Sequence, residues 1–241
     1  MNSAKRFSGR ASAYAAFRPS YPVAAIDAVL DGLGDPNALT IADLGAGTGI
    51  SARLFAERGA RVIAIEPNAE MRAAAAAHPR IEWRSATACS TMLSGASVDV
   101  AVACQAFHWF ATRATMNEMR RIARRRAAVL QYERDERDPF TKAYGDVVRA
   151  YASDDTELKR IEALAAFEGF PNARVTGYAF ESSQRCNLDG LLGRAASASY
   201  LPNAGPQADA LRRELRSIFA TFALDGIVEL AIVTFVRVAD W

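Results

Sequence analysis

The chain has few of the side chains from which metal centres and disulfide frameworks are built. Its 241 residues include two histidines, His78 and His108, and three cysteines, Cys89, Cys104 and Cys186. The cysteines show no C-x-x-C spacing, and the two histidines do not form a recognisable ligand motif. We therefore expect no metal site, and isolated thiols are typical of a reduced, cytoplasmic setting.

Long apolar runs and a charge excess are also missing. No stretch approaches the roughly 20 apolar residues that cross a bilayer, and the opening MNSAKRFSGRASAY has no apolar core of a secretory signal. Lys and Arg number 29 against 27 Asp and Glu, a formal net charge of +2. We expect no membrane or nucleic-acid partner from this balance, and it leaves the oligomeric state open.

A strand, a glycine turn, a helix, a second strand and an acid follow one another between positions 41 and 67. The apolar run IADL turns through Gly45, Gly47 and Gly49 into an amphipathic helix, and the run RVIAI then ends at Glu66. This order is typical of one βαβ unit in a nucleotide-binding sheet. Glycines let backbone N–H groups approach an anionic group at a helix N-terminus, and Glu66 is placed to accept hydrogen bonds from a ribose.

The glycine spacing distinguishes between two nucleoside cofactors. A dinucleotide fingerprint would have its third glycine at position 50, where the chain has isoleucine. The observed Gly45-x-Gly47-x-Gly49, preceded by Asp43, favours S-adenosylmethionine over NAD. An NAD-dependent oxidoreductase stays an alternative because of Glu66, although the chain has no Tyr-x-x-x-Lys pair. A cofactor-binding subunit without activity is a third interpretation.

The motifs DLGAGTG and VIAIEPN resemble the first two motifs of class I S-adenosylmethionine-dependent methyltransferases. RSATACSTML, residues 84–93, is similar to the family's third motif, GTAEATTL, which meets the adenine. Cys89 stands where the family usually has an acid, so backbone contacts to the adenine are expected there. The resemblance implies S-adenosyl-L-methionine as cofactor and these binding residues: Arg18, Asp43, Gly45, Ala46, Gly47, Gly49, Glu66, Pro67, Thr87, Ala88, Cys104 and Gln105.

A buried strand at positions 98–103 leads into CQAFHWF, residues 104–110. Ligands of open parallel sheets bind outside the carboxyl ends of the strands, so this segment is predicted to face the methyl-transfer centre. QAFHWF resembles the signature after strand four in the trans-aconitate-methyltransferase-like branch. We expect site roles for His108 and Trp109; the alternative is that the aromatic residues here cap the core.

The segment RASAYAAFRPSYP, residues 10–22, interleaves aromatic and cationic side chains. It resembles the N-terminal segment of small-molecule methyltransferases, which closes as a lid over cofactor and substrate. By that resemblance Tyr14 and Arg18 line the pocket, and Arg18 pairs with a carboxylate of cofactor or substrate. The alternative is a short helix that packs its aromatic residues on the body: Phe7, Tyr14, Phe17 and Tyr21.

GLLGRAASASYLP, residues 190–202, resembles a segment of the same methyltransferase group that belongs to a cap over the substrate pocket. Its polar groups, including Ser197 and Ser199, are able to orient a small ligand, although helix capping and surface exposure explain them nearly as well. The predicted substrate-binding residues are Tyr14, Tyr21, Phe107, His108, Trp109, Arg194 and Tyr200.

The predicted fold is α/β: a Rossmann-like, seven-stranded, mostly parallel sheet with an antiparallel last strand, an N-terminal lid and an inserted cap between the fifth and sixth strands. One methyltransferase domain would comprise a lid and first helix (1–33), a cofactor-binding core (37–137), a substrate cap (138–205) and a final helix and strand (206–241). Before strand 127–132, a helix over 114–126 is predicted to end in three solvated arginines.

The predicted reaction is methyl transfer from S-adenosylmethionine to a nitrogen or oxygen of a small planar molecule. The sulfonium supplies electrophile and leaving group, so the protein mainly aligns the nucleophile and excludes water. His108 is the candidate catalytic base, since an unperturbed histidine titrates near pH ~6.5. The aromatic lining favours an azapteridine-like N-heterocycle of secondary metabolism; the alternative is a small carboxylic acid of the trans-aconitate type.

Overall fold

A computed structural model describes residues 9–241, so Phe7 of the predicted lid lies outside the described residues. The strands are β1 (Thr40–Leu44), β2 (Arg61–Ile65), β3 (Ile81–Arg84), β4 (Val98–Cys104), β5 (Ala123–Arg134), β6 (Arg174–Cys186) and β7 (Val228–Asp240). The helices are α1 (Ala11–Phe17), α2 (Val23–Leu30), α3 (Ile50–Glu57), α4 (Ala69–Ala73), α5 (Arg113–Ile122), α6 (Pro139–Tyr151), α7 (Thr156–Phe167), α8 (Leu188–Ala196) and α9 (Gly205–Phe222). None of these helices is long and apolar enough to cross a membrane.

The seven strands form one sheet in the order β3-β2-β1-β4-β5-β7-β6. β1 to β5 run parallel to one another, whereas β7 is antiparallel to both β5 and β6. This confirms the predicted α/β sheet with an antiparallel last strand. Since the strand order reverses between β1 and β4, the ligand crevice of an open sheet is expected at their carboxyl ends.

The central strands are buried on both faces, which is the pattern of parallel strands covered by helices. One face packs Ile41 and Val100 against Phe55 of α3, and the other packs Ala42 and Ala101 against residues of α5 and α7. These two layers hold the ends of β1, β2 and β4 in a fixed arrangement, so the loops that follow these strands have a rigid base.

The predicted cap, residues 138–205, is not one continuous insert. β6 lies inside this range and pairs with β7 along its whole length, from Arg174 opposite Asp240 to Cys186 opposite Val228. The helices beside the sheet therefore come in two pieces, with α6 and α7 before β6 and α8 and α9 after it. The sequence predicts a strand near residues 174–181, and β6, an edge strand, continues beyond it to Cys186.

The helix predicted over 114–126 also ends earlier, and Arg124 to Arg126 belong to β5. Arg126 is buried: its Nε lies 2.6 Å from Asp240 Oδ1, and its Nη1 donates to the carbonyl oxygens of Val29 and Asp31, both at 2.7 Å. These partners are distant in sequence, so the arginine run gave no local sign of a strand. Arg124 is exposed, as expected for a solvated arginine.

Candidate functional site

The loop between β1 and α3 is shaped by three glycines with positive φ: Gly45 (+71°), Gly47 (+59°) and Gly49 (+84°). Other residues rarely adopt this conformation. A Cβ at Gly45 would lie 2.9 Å from the Cβ of Ala106, which is too close, whereas at Gly47 the nearest side-chain atom would be Met71 Cε at 3.4 Å. Gly45 thus permits close packing of the loop, whereas at Gly47 the positive φ favours glycine and a Cβ would be in ordinary contact with Met71.

Glu66 ends β2 and lies against the glycine loop. Its Oε2 accepts a hydrogen bond from the Gly47 N–H at 3.0 Å, and its Oε1 accepts one from the Asn68 N–H at 2.8 Å. Burial raises the pKa of Glu66, although these two N–H groups and Arg72 oppose the effect. The carboxylate is therefore held in one orientation at the edge of a cavity.

Asp43, near the end of β1, is a fully buried carboxylate. Its Oδ2 accepts a hydrogen bond from Ser51 Oγ at 2.6 Å, and its Oδ1 has no hydrogen-bond partner within residues 9–241. Burial raises the pKa of Asp43 to about 7. Asp43 lines none of the cavities beside the loop, so the structure does not bring it together with the other predicted cofactor residues.

A cavity of about 260 Å³, here the main cavity, opens beside Glu66 at the carboxyl ends of β1, β2 and β4. Eight of its lining residues were predicted for the cofactor or the lid. Trp109, which was predicted to bind the substrate, lines it as well. Phe110 belongs to the segment predicted to face the site, whereas Met71 was not predicted there. Its lining is Tyr14, Gly45, Gly47, Glu66, Pro67, Met71, Thr87, Ala88, Cys89, Gln105, Ala106, Trp109 and Phe110.

A smaller space of about 20 Å³, the loop void, lies at the glycine loop on the side of α3. Ala46, Ser51 and Cys104 line it together with Tyr21 and Tyr132. The rings of Tyr21 and Tyr132 are 5.8 Å apart, and Tyr21 is buried. Tyr21 was predicted to contact the substrate, but its position at the loop void places it with the predicted cofactor residues.

The lid segment, residues 10–22, lies across these cavities. The Arg18 guanidinium stacks on the Tyr14 ring at 4.9 Å from its centroid and donates to the Tyr132 hydroxyl at 3.4 Å and the Ser197 carbonyl at 3.3 Å. The Phe17 carbonyl accepts a hydrogen bond from Gln184 Nε2 at 3.0 Å. α1 is therefore held against α8 and β6 through neutral groups.

A second space of about 20 Å³, the narrow cavity, adjoins the main cavity. Tyr14, Gln105 and Trp109 line both, so they form a shared wall. The rings of His108 and Trp109 are 4.5 Å apart. The residues lining the narrow cavity are Tyr14, Arg18, Gln105, His108, Trp109, Thr156, Arg160, Ser199 and Tyr200.

Two predicted substrate residues lie elsewhere. Phe107 is buried in the core, edge-on to Phe110 at 6.1 Å and to Phe167 at 5.5 Å between ring centroids. Arg194 is buried and donates to the Gln184 side chain, so it connects α8 to β6. The 3-10 turn over Phe107–Trp109 places the Phe107 ring in the core and the rings of His108 and Trp109 at the cavities. Alternating hydrophobicity in the sequence does not predict this arrangement.

Sequence reasoning missed Arg160 and Thr156, which reach the narrow cavity from α7. Arg160 forms a two-point pair with Glu133 of β5, with Nε–Oε1 at 2.7 Å and Nη2–Oε2 at 2.8 Å. In the sequence, Arg160 is one cation on an amphipathic helix, and nothing local distinguishes it from a surface residue. A search among the described residues finds no group of His, Cys, Asp or Glu that could hold a metal ion.

Comparisons with known proteins agree with this arrangement. A methyltransferase domain model matches residues 42–130. An uncharacterized methyltransferase of Mycobacterium tuberculosis is 34% identical over 145 residues, which is 59% of this chain and 58% of that protein. An uncharacterized methyltransferase-like protein of Schizosaccharomyces pombe is 26% identical over 82% of this chain and 78% of its own length.

The solved structures show the same fold. A protein assigned as a type II methyltransferase from Anaeromyxobacter dehalogenans superposes with a TM-score of 0.64 at 24% identity, covering 93% of this chain and 97% of that one. Residues 42–130 thus match a methyltransferase domain, in agreement with the resemblance of the first motifs, and the chain shares the fold of this solved structure.

Proposed function

We propose that the enzyme binds S-adenosylmethionine in the main cavity and methylates a small planar molecule held at the narrow cavity, which must widen from its about 20 Å³ to admit it. The observation that carries this proposal is the shared wall of Tyr14, Gln105 and Trp109 between the two cavities. Direct transfer needs the acceptor atom beside the methyl carbon, so this wall must open beside Gln105 when both ligands are bound. When bound, the cofactor supplies an electrophilic methyl group and its own leaving group.

The residues around the main cavity fit such a cofactor. Glu66 presents a fixed carboxylate to a ribose, and the Gly47 backbone borders the same cavity. Asp43 lies beneath the loop and lines neither cavity, so its part is to hold Ser51 of α3. Thr87, Ala88 and Cys89 form the part of the lining where the motif resemblance puts the adenine.

The acceptor proposed first is a planar N-heterocycle of secondary metabolism, such as an azapteridine. Aromatic rings from Tyr14, Trp109 and Tyr200 around the narrow cavity support a flat ligand. A small carboxylic acid is the second candidate, because the Arg18 guanidinium makes its hydrogen bonds to neutral groups and has charge to offer an anion.

A methyl-transfer assay with labelled cofactor separates the two acceptor classes. Bicyclic N-heterocycles and small polycarboxylic acids would be tested with the wild type, Arg18→Gln and the control Arg216→Gln, an exposed arginine of α9. If the acceptor is an acid, Arg18→Gln lowers kcat/KM for it by about 10- to 100-fold, the size of a lost charged hydrogen bond. If it is a neutral heterocycle, the loss is a few-fold.

Binding of S-adenosylhomocysteine is measured in parallel for each variant. Methyl transfer to neither class, with intact binding of this product analogue, would contradict the acceptor proposal and leave the cofactor site standing. Absence of binding by the wild type would contradict the cofactor site itself. Arg216→Gln should change neither quantity.

We further propose that the lid segment closes over both cavities. Helix α1 packs on α8 so tightly that a Cβ at Gly193 would lie 2.4 Å from the Phe17 ring. Gly193→Ala should therefore displace α1, weaken S-adenosylhomocysteine binding and expose the lid segment to protease. Gly190→Ala is the matched control in the same helix, since its Cβ would approach no atom closer than 3.2 Å. Unchanged binding in Gly193→Ala would contradict the lid.

A further inference from the structure

Tyr200 lies where the narrow cavity meets a third space, an outer cavity of about 490 Å³. Tyr200 and Thr156 line both spaces, and Asp154 and Glu157 line the outer one. The backbone at Tyr200 is anchored, because the Tyr200 carbonyl oxygen accepts hydrogen bonds from Ser153 N at 2.9 Å and from Ser153 Oγ at 3.0 Å. The phenol ring is only 8% exposed, so its position between the two spaces is fixed by packing.

Two arginines line the narrow cavity together with Tyr200: Arg18 of the lid segment and Arg160 of α7. A third, Arg134 of β5, adds its positive charge to the surroundings of the Tyr200 hydroxyl. Two of these cations are balanced by carboxylates, Arg160 by Glu133 and Arg134 by Glu157 and Glu136. Arg18 bonds to neutral groups, so the surroundings of the hydroxyl carry a positive excess.

This charge favours a phenolate at Tyr200. Burial by itself raises the pKa of Tyr200, but the three arginines outweigh burial and the pKa lies below its ordinary value. The other phenol facing the group, Tyr144 of α6, has its pKa raised, chiefly by burial. Of Tyr144 and Tyr200, Tyr200 is therefore the one that ionises more readily.

His108 lines the narrow cavity as well and is the competing candidate for the base. A phenol accepts a proton only in its ionised form, and the positive charge of Arg18 and Arg160 in the same cavity favours that form. A comparison of Tyr200 and His108 variants distinguishes the two side chains.

We propose that Tyr200 is the catalytic base that removes the proton from an N–H or O–H acceptor. This inference rests on the proposed function and names the group that makes the acceptor nucleophilic. The acceptor's proton passes to the Tyr200 phenolate oxygen, and the released electron pair forms the bond to the methyl carbon. The carbon–sulfur bond breaks with its electrons going to sulfur, so S-adenosylhomocysteine and the neutral phenol result. A carboxylate acceptor loses no proton and would not need Tyr200.

A spectroscopic titration tests the ionisation without any acceptor. Phenolate absorbance would be followed against pH for the wild type, Tyr200→Phe and Tyr178→Phe, an exposed tyrosine of β6 that serves as control. Among the seven tyrosines, we expect one to ionise at a lower pH than the others in the wild type and in Tyr178→Phe. This early step should be missing in Tyr200→Phe. Its absence from the wild type, or its persistence in Tyr200→Phe, overturns the proposal.

The kinetic counterpart uses the bicyclic N-heterocycles that carry an N–H group. Tyr200→Phe should lower kcat by roughly 100-fold or more, the usual contribution of a general base, and should remove the rise of kcat with pH that follows phenol ionisation. His108→Asn should have the smaller effect. A larger loss in His108→Asn, with the pH profile of Tyr200→Phe unchanged, would assign the proton to His108 instead. S-adenosylhomocysteine binding by both variants shows whether the cofactor site is intact, which separates this failure from a failure of the proposed function.

Discussion

Gln105 and Tyr132 exchange two hydrogen bonds between the ends of β4 and β5. Gln105 Nε2 donates to the Tyr132 carbonyl oxygen at 3.2 Å, and the Tyr132 N–H donates to Gln105 Oε1 at 2.9 Å. The backbone of Gln105 has φ +50°, a conformation that costs free energy for a residue with a side chain. The amide thus fixes the wall between the main and narrow cavities, with one N–H and one lone pair of the side chain committed to Tyr132.

Gln105→Ala should therefore act on stability. It leaves the Tyr132 N–H and carbonyl without these partners, which lowers the free energy of unfolding by about 1–3 kcal/mol. Urea unfolding measures the change, with Gln207→Ala on an exposed part of α9 as control. A Gln105→Ala variant as stable as the control would show that the two hydrogen bonds do not hold this wall.

Asp43 makes stability depend on pH. Its pKa is raised to about 7 in the folded chain, against about 3.9 when unfolded, so the folded state binds more protons between these values. The free energy of unfolding should fall as pH rises from about 4 to about 7 and stay lower above that. Asp43→Asn should remove this loss. The change that Asp43→Asn makes in the free energy of unfolding should therefore be more favourable at pH ~8 than at pH ~5 by about 2 kcal/mol.

Urea unfolding at the two pH values checks this prediction. Ser51→Ala is the informative companion, because it deletes the hydrogen bond that opposes the raised pKa of Asp43 and should enlarge the pH dependence. An Asp43→Asn effect of equal size at both pH values would mean that Asp43 is ionised throughout.

Arg126 and Arg124 distinguish the observed strand from the predicted helix. Arg126→Met removes a buried cation with four hydrogen bonds and leaves Asp240 and two carbonyl oxygens without this partner. We expect the free energy of unfolding to fall by about 2–4 kcal/mol. Arg124→Met removes a partly exposed pair with Asp99 at 3.1 Å and should cost less than about 1 kcal/mol. Similar losses for the two variants would favour three equivalent, solvated arginines.

Local patterns were sufficient for the sheet and for the glycine loop. Apolar runs, the spacing of Gly45, Gly47 and Gly49, and the acid at position 66 are short-range features, and each of them occupies the element that the sequence predicted. The same holds for Trp109 and His108, because residues after a central strand of a parallel sheet are brought to the ligand crevice by topology.

Long-range contacts account for what the sequence did not reveal. Arg160 reaches the narrow cavity because α7 packs beside β5, where Glu133 accepts its guanidinium. Arg194 looked like a ligand-binding residue but pairs with Gln184 across a turn that only the folded chain closes. Phe107 differs from its neighbours through the geometry of one 3-10 turn. The positions of Arg160, Arg194 and Phe107 cannot be predicted from residue type or spacing.

The most direct test is calorimetric titration with S-adenosylhomocysteine and, separately, with NAD. The wild type and the control Glu57→Ala, an exposed residue of α3, should bind S-adenosylhomocysteine and not NAD. Glu66→Ala and the shape-conserving Glu66→Gln should bind it about 10- to 100-fold more weakly, since each removes charged hydrogen bonds to the ligand. Binding of NAD, or undiminished S-adenosylhomocysteine binding by both Glu66 variants, would contradict the assignment of the main cavity as the cofactor site.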